Sequence, residues 1–297
     1  MEPTSAWRAL RGTFGRGRRQ VRRRLLEPLL VRRPTLRDTL MRALAARGHL
    51  VLCQLGDVRL FVDPGDRAIG ASLIWRGGHQ RGEFDRAVAL VAAAGRLPAD
   101  AVFVDVGANI GTHTIYALRT GKFARAIAFE PEPGNVRLLA MNLEVNGLTQ
   151  RAVVVPKAAG AAAGQAVLHL HPRNNGAHAI GFAPSADGRD RLEVPVVRLE
   201  DQLRELGVAT RDVGLVWMDV EGYEPQALEG LGEVLASAVP IAFEFSPQRY
   251  DAATKERLVR TLAAHYRHMH RLGGAQQRAA PIDALLSIDQ IDDVLVY

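Results

Sequence analysis

Acidic side chains at the ends of apolar runs are where this sequence concentrates its chemistry. Val102-Phe103-Val104-Asp105-Val106-Gly107-Ala108-Asn109-Ile110-Gly111 reads as a buried strand passing through glycines into a helix. Glycines at such a turn let backbone approach a ligand closely. The dinucleotide fingerprint G-x-G-x-x-G needs glycine where Asn109 and Thr112 stand, which disfavours a nicotinamide-dependent oxidoreductase. What remains is D-x-G-x-x-x-G. An anionic Asp105 argues against a pyrophosphate over the turn, because like charges would be desolvated together. It suits a ligand carrying an ammonium or sulfonium. The next apolar run, Ala126-Ile127-Ala128-Phe129, ends in Glu130, where a carboxylate is placed to accept hydrogen bonds from ribose hydroxyls. A nucleoside with a positively charged tail fits both anchors, so S-adenosylmethionine is the expected cofactor.

A second acidic group follows another buried run. Val213–Met218 leads into Asp219-Val220-Glu221-Gly222-Tyr223-Glu224, and Glu244 ends Ile241-Ala242-Phe243. Ligands of open α/β sheets bind outside the carboxyl ends of the strands, so these acids are expected on the same crevice as Asp105. Glu221 and Glu224 also precede a helix, where the helix dipole alone favours negative charge. Such a cluster can take a proton from a hydroxyl nucleophile or hold a divalent ion, and the sequence leaves both open. His178, in the polar stretch Asn174-Asn175-Gly176-Ala177-His178, is a further candidate base on the acceptor side.

The elements that must position these residues follow from periodicity and breakers. Thr35 with Asp38 resembles a capping box opening a helix over 35–47. Val51-Leu52 and Val58–Val62 read as strands around Gly56-Asp57. Helices are expected at 83–94, 111–120, 133–146, 200–206, 224–237 and 251–270, and strands at 101–106, 125–130, 152–155, 166–170, 192–198, 213–220 and 241–245. Ala284–Ile288 and Asp293–Tyr297 read as a terminal β-hairpin. Strands alternating with helices predict an α/β, Rossmann-like, mostly parallel sheet with helices on both faces. Residues 1–48 would form an arginine-rich, basic helical extension and 49–297 the main domain.

On these motifs the chain resembles the FkbM-type S-adenosylmethionine-dependent methyltransferases. D-V-G-A-N-I-G at 105–111 matches that family's signature turn, F-E-P at 129–131 its ribose-binding strand end, and M-D-V-E-G-Y-E-P-Q-A-L-E-G at 218–230 its D-x-E-G-x-E element. Gly82-Glu83 resembles the upstream G-x-x-E, with the usual aromatic before the acid replaced. Val197-Arg198-Leu199-Glu200-Asp201 resembles a T-L-D-D-like segment, with Arg198 for Thr. The similarity covers roughly 50–250 and is weak across 172–190. It implies that Asp105, Gly107, Asn109 and Gly111 shape the cofactor site, that Glu130 holds the ribose, and that Glu83 closes over the cofactor. It also implies that Asp219 and Glu221 face the sulfonium and acceptor side. The implied activity is O-methylation of a hydroxyl on a sugar, glycan or secondary metabolite.

Composition bounds the remainder. The chain has 297 residues, 47% hydrophobic and 24% charged, as expected of an ordinary globular protein. A single cysteine, Cys53, excludes an internal disulfide framework. Residues 1–47 hold 13 arginines against Glu2, Glu27 and Asp38, a net +10, and the other 250 residues hold 25 basic and 29 acidic groups, a net −4. The basic arm has three readings: a solvated or self-packed arm, a contact with an anionic membrane surface or another polyanion, and a targeting peptide. No apolar h-region follows its arginines and no span of about 20 apolar residues occurs, so a cytoplasmic location is expected. A methyltransferase acting on nucleic acid through the arm is the alternative acceptor class. No amine-methylation N-P-P-[YF] tetrapeptide lies near Asp219, and aromatics are only 6% of residues.

Overall fold

The computed structural model describes residues 34–171, 173–181, 191–274 and 278–297. Most of the arginine-rich arm and of the 172–190 stretch therefore lies outside the described residues. Two compact units divide the chain, one holding residues up to Leu50 with 63–65, the other residues 51–62 and 66–297. In the first, helix α1 spans Pro34–Ala45. Thr35 sits inside its first turn, where its carbonyl accepts from Thr39 Oγ1 at 2.7 Å, and Asp38 pairs with Arg37. The expected capping box is therefore absent.

The second unit is built on eight strands in the order β13-β12-β14-β11-β10-β3-β4-β5. The central five, β5 (Ala152–Val155), β4 (Arg125–Phe129), β3 (Val102–Val106), β10 (Val213–Met218) and β11 (Ile241–Phe245), run parallel. All residues of β3 and β10 are buried, as continuous apolar runs covered on both faces should be. Beyond β11 the sheet turns antiparallel through β14 (Asp292–Val296), β12 (His268–Arg271) and β13 (Ala280–Pro281). One apolar layer packs α3 (Arg81–Ala93), α4 (Thr112–Arg119) and α5 (Pro133–Val145) on Phe103, Ala126, Leu215 and Trp217. α2 (Ile69–Trp75), which carries no clear sequence signal, joins this layer. On the opposite face, α6 (Leu199–Glu205), α7 (Glu224–Glu229), α8 (Gly232–Ala236) and α9 (Ala252–Ala263) pack on Val104, Val216, Met218 and Phe243.

Three expectations are corrected. Residues 224–237 form two helices, divided at Gly230, whose carbonyl accepts from Glu200 N–H at 3.1 Å and whose Cα packs against the Gly160 carbonyl. The expected helix over 251–270 stops at Ala263. Residues 268–271 form a strand between β13 and β14 that buries Met269, while Tyr266 anchors the turn by donating to the Val239 carbonyl at 2.6 Å. The terminal β-hairpin does not form. Residues 282–287 make a 3₁₀ turn, and β14 inserts between β11 and β12. A second sheet, ordered β6-β9-β7-β8, lies between β5 and α6 in the chain and is formed by Ala158–Gly160, Arg191–Arg198, Gly164–His169 and Ala179–Ile180.

β1 (Val51–Leu55) and β2 (Val58–Val62) form the expected antiparallel hairpin. Two asparagines one helical turn apart on α5 pair with the free edge of β2 as another strand would. Asn142 Oδ1 accepts from Phe61 N–H at 2.6 Å, and its Nδ2 donates to the Phe61 carbonyl at 3.1 Å. Asn146 makes the same pair with Arg59, at 3.0 and 2.6 Å. A side-chain amide offers one donor and one acceptor in the spacing of a peptide group, so the edge is satisfied without a further strand. Asn142→Leu strands both polar groups of Phe61 in a partly buried setting and is expected to lower the unfolding free energy by about 2 kcal/mol. Urea denaturation measures it, and a loss below about 1 kcal/mol would show that the pairing is dispensable.

Candidate active site

The chain runs outward from β3 through β4 to β5 and then returns to β10 on the other side of β3, which makes the carboxyl ends of β3 and β10 the switch point of the sheet. A cleft opens there. Its wall is drawn from the segments after β3, β4, β5 and β10, with a lid of residues from β7, β8 and the loop before β8.

Gly107 makes the switch point possible. It adopts φ +85°, and a Cβ there would collide with the Asp219 carbonyl oxygen. Its N–H and that of Ala108 both donate to the Phe129 carbonyl, at 3.0 and 2.9 Å, while Asp219 N–H donates to Val106 at 2.9 Å. The ends of β3, β4 and β10 are thus tied together through one glycine. Asn109, at φ +50°, turns its own N–H onto Glu130 Oε2 at 2.8 Å and donates Nδ2 to the Asn175 carbonyl at 2.7 Å.

Glu130 ends β4 and lines the cleft, its carboxylate held by Asn109 N–H and by Glu132 N–H at 2.8 Å, with Asn135 Nδ2 at 3.5 Å. Burial nevertheless pushes the carboxyl up to about 7. Asn135 was not signalled by the sequence. It is buried in the first turn of α5 and lines the cleft, and its Oδ1 has no hydrogen-bond partner among the described residues. Asn175, from the polar 174–178 stretch, and Tyr223, from the 218–230 element, are further wall residues.

Three expected cofactor residues stand elsewhere. Asp105 does not line the cleft. Its side chain lies on the α4 side of the sheet and accepts from Thr114 Oγ1, while Oδ1 has no partner among the described residues. Burial pushes it up to about 7. Gly111, at φ +85°, starts α4 against Leu139, so it shapes the turn from behind. Glu83 lies in the first turn of α3, outside the wall, where it acts electrostatically on His79 and Asp293. Of the expected set, Gly107, Asn109 and Glu130 reach the cleft.

The expected catalytic acids do converge. Asp219 lines the cleft, and its carboxyl is held well above the ordinary range by burial and by the charges of Glu244, Glu221, Asp293 and Glu224. Glu221, at φ +57°, is ion-paired with Arg249 and still raised to about 7 by burial and Glu244. Glu244 accepts from Ser246 Oγ at 2.7 Å, with Arg249 Nη1 at 3.8 Å. Glu224 is a positioning residue. Fully buried, it accepts from Val220 and Gly222 N–H at 3.2 Å and from Tyr250 Oη at 2.7 Å, which closes the 219–223 loop. His178 is apart from this group. It lines the cleft, but its Nδ1 accepts from His171 N–H at 2.9 Å, which leaves the neutral ring with its hydrogen on Nε2. Burial lowers its pKa. It is placed as a donor, not as the base expected from the sequence. No group of three or more His, Cys, Asp or Glu among the described residues is arranged to hold a metal ion.

A parallel sheet reversing at β3, a glycine turn after that strand and an acid ending the next are the layout of a nucleoside-binding methyltransferase domain. Residues 105–273, more than half of the chain, match the Methyltransferase FkbM domain, and the chain belongs to that family. It is 31% identical over 159 residues to the 31-O-demethyl-FK506 methyltransferase FkbM of Streptomyces tacrolimicus, covering 45% of this chain and 60% of the relative. It is 28% identical over 162 residues to methyltransferase sdnD of Sordaria araneosa, covering 46% and 62%. The matches thus span about six-tenths of these relatives. A crystal structure of methyltransferase FkbM from Methylobacillus flagellatus KT superposes with a TM-score of 0.43 at 16% identity, covering 67% of this chain and 44% of that one. Among the described residues, no helix is long and apolar enough to cross a membrane.

Two outcomes follow. Gly107→Ala adds a side chain where the Asp219 carbonyl stands and where φ is positive, so thermal denaturation should show a loss of at least about 2 kcal/mol; a neutral substitution would contradict the tie. Asp105, Glu130, Glu221 and Asp293 all sit near 7 when folded, against ordinary values near 4. Between about pH 4 and 7 the folded state therefore binds more protons than the unfolded one, and these groups lose stability as pH rises through that window. The melting temperature should increase from pH 7.5 to 5.5, less steeply in Asp293→Asn; a parallel profile in that variant would contradict the assignment.

Proposed function

We propose that this chain transfers a methyl group from S-adenosylmethionine to a hydroxyl oxygen of a small molecule, with a secondary metabolite or a sugar as the acceptor class. The observation that carries the reading is the position of Asp219, which is part of the wall that includes Glu130 and also of the acidic rim with Glu221 and Glu244. The cleft residues suit the cofactor chemically. Glu130 offers carboxylate oxygens to two ribose hydroxyls, and Phe129, Leu168 and Ile180 supply apolar surface for an aromatic base. The buried, unpartnered Asp219 Oδ1 and Asn135 Oδ1 are acceptors that ask for donors. Bound there, S-adenosylmethionine supplies an electrophilic methyl on a sulfonium.

The protein's own part is alignment, exclusion of water and removal of a proton. A carboxyl whose proton affinity is raised by burial and by neighbouring acids is a stronger base than an ordinary one. Asp219 is the reading's base, with Glu221 and Glu244 sharing the charge that keeps its proton affinity high. Arg249 holds Glu221 in place. The acceptor class draws support from one relative, which is a 31-O-demethyl-FK506 methyltransferase.

Calorimetry with S-adenosylhomocysteine should show Glu130→Ala weakening binding at least tenfold with the circular dichroism spectrum retained; unchanged affinity would remove the ribose role. With a hydroxyl acceptor in hand and the cofactor saturating, Asp219→Asn should lower kcat about 10²-fold. The wild-type kcat/KM should fall on the acid side of about pH 7, as the rim carboxyls take up protons. Full turnover by Asp219→Asn would move the base elsewhere.

A further inference from the structure

The arginine-rich arm has no part in the methyltransferase reading, and it lies outside the residues that the family model matches. Residues 1–47 carry a net +10, against −4 for the other 250 residues. Their basic groups are all arginine, whose planar fork matches phosphate oxygens better than the point charge of lysine does. Apolar residues are interleaved with these charges. Leu25, Leu26, Leu29, Leu30 and Val31 stand between the arginine runs at 22–24 and 32–33.

Among the described residues, α1 continues the same mixture. Leu36 and Leu40, one helical turn apart and so on one side of the helix, are 49% and 40% exposed. The helix is not simply unpacked. Met41, Leu44 and Ala45, on another side, are half-buried, and Ala45 Cβ lies 3.1 Å from where a side chain on Gly65 would begin. α1 therefore rests on its own unit by one side and turns a leucine side to solvent. Leu50, in the same unit, is a further exposed leucine.

Single exposed leucines are ordinary, but these recur on the one strongly basic segment of the chain. A solvated arm accounts for the arginines and leaves the leucines in water. A nucleic acid answers the arginines through its phosphates and does the same. Stacking on bases calls for aromatic side chains, and residues 1–47 hold only Trp7 and Phe14. The interface of an anionic bilayer answers both kinds of side chain, with phosphates at the surface and acyl chains just beneath. The rest of the chain, at net −4, is repelled by such a surface, which confines the contact to the arm.

We propose that residues 1–47 dock this protein on an anionic phospholipid surface, with the arginines on headgroup phosphates and Leu36 and Leu40 of α1 entering the acyl boundary. The two parts do different things. The arginines supply a long-range attraction that salt screens, and the leucines supply a short-range contribution that salt leaves intact. The contact is independent of the cleft and of the reaction proposed there.

The test sediments the full chain with vesicles of phosphatidylcholine alone, and of phosphatidylcholine with roughly one-third phosphatidylglycerol, at near-physiological salt. Partition onto the anionic vesicles is expected to be at least about tenfold stronger, and to fall about tenfold when salt is raised to about 0.5 M. Combining Arg22→Gln, Arg23→Gln and Arg24→Gln should weaken it about tenfold. Leu36→Ser with Leu40→Ser should weaken it about fivefold, with the melting temperature and circular dichroism retained because both side chains are exposed. Leu36→Met with Leu40→Met should keep wild-type partition, since the apolar surface is kept. Equal partition onto the two vesicles, no partition onto either, or serine variants that bind as wild type would each overturn the proposal. So would loss of binding in the methionine pair, which would give the leucines a structural role, or release from the vesicles by a DNA duplex at equal phosphate concentration.

Discussion

The contact between Gly107 and the Asp219 carbonyl is the constraint on which the site depends. Two parallel strands on opposite sides of the chain reversal must end at the same height for a cleft to open between them. Without a side chain at Gly107, the β10 end passes against the β3 turn, and Asp219 N–H closes on Val106. The same turn sends two N–H groups to Phe129 and so fixes where Glu130 leaves β4. Both walls of the cleft are therefore set by one backbone junction. Glu224 then fastens the loop beyond Asp219 by taking two of its N–H groups and the Tyr250 hydroxyl.

That junction collects negative charge in a place with little water. Burial alone would favour neutral carboxyls, and mutual repulsion pushes the same way, which is why Asp219, Glu221 and Asp293 are all raised. A protein that keeps such a group together gives up stability at neutral pH. The arrangement becomes favourable when a cation enters, because each carboxyl then gains an opposite charge in a medium of low effective dielectric.

Much of this was legible in the sequence, and the reasons differ by element. β3 and β10 are continuous apolar runs ended by acids, a pattern that only a strand buried on both faces produces, and their placement held. The Asn146-Gly147 stop after α5 and the Gly56-Asp57 turn were equally local signals. Local signals failed where a distant backbone decided the outcome, as at Gly230, where the helix breaks and the carbonyl is taken by Glu200 N–H. They failed again at the C-terminus, where His268–Arg271 carries a helix-compatible composition but is drawn into the sheet by β14. In the site, residue type and strand position located Glu130, Asp219, Glu221 and Glu244. They did not tell which way Asp105 faces, since an acid at a strand end can turn to either side of the sheet. Nor did they show which nitrogen of His178 is engaged, or that the Asn135 oxygen is unpaired. Those depend on residues far apart in the chain, and no spacing rule encodes them.

The central claim is that one cleft holds a nucleoside by Glu130 and presents its charged tail to Asp219. A crystal structure of the protein with S-adenosylhomocysteine tests it most directly. The account predicts ribose hydroxyls within hydrogen-bond distance of the Glu130 carboxylate and the amino acid end of the ligand beside Gly107 and Asp219. A ligand bound with its ribose away from Glu130, or with Asp219 turned from it, would contradict the account.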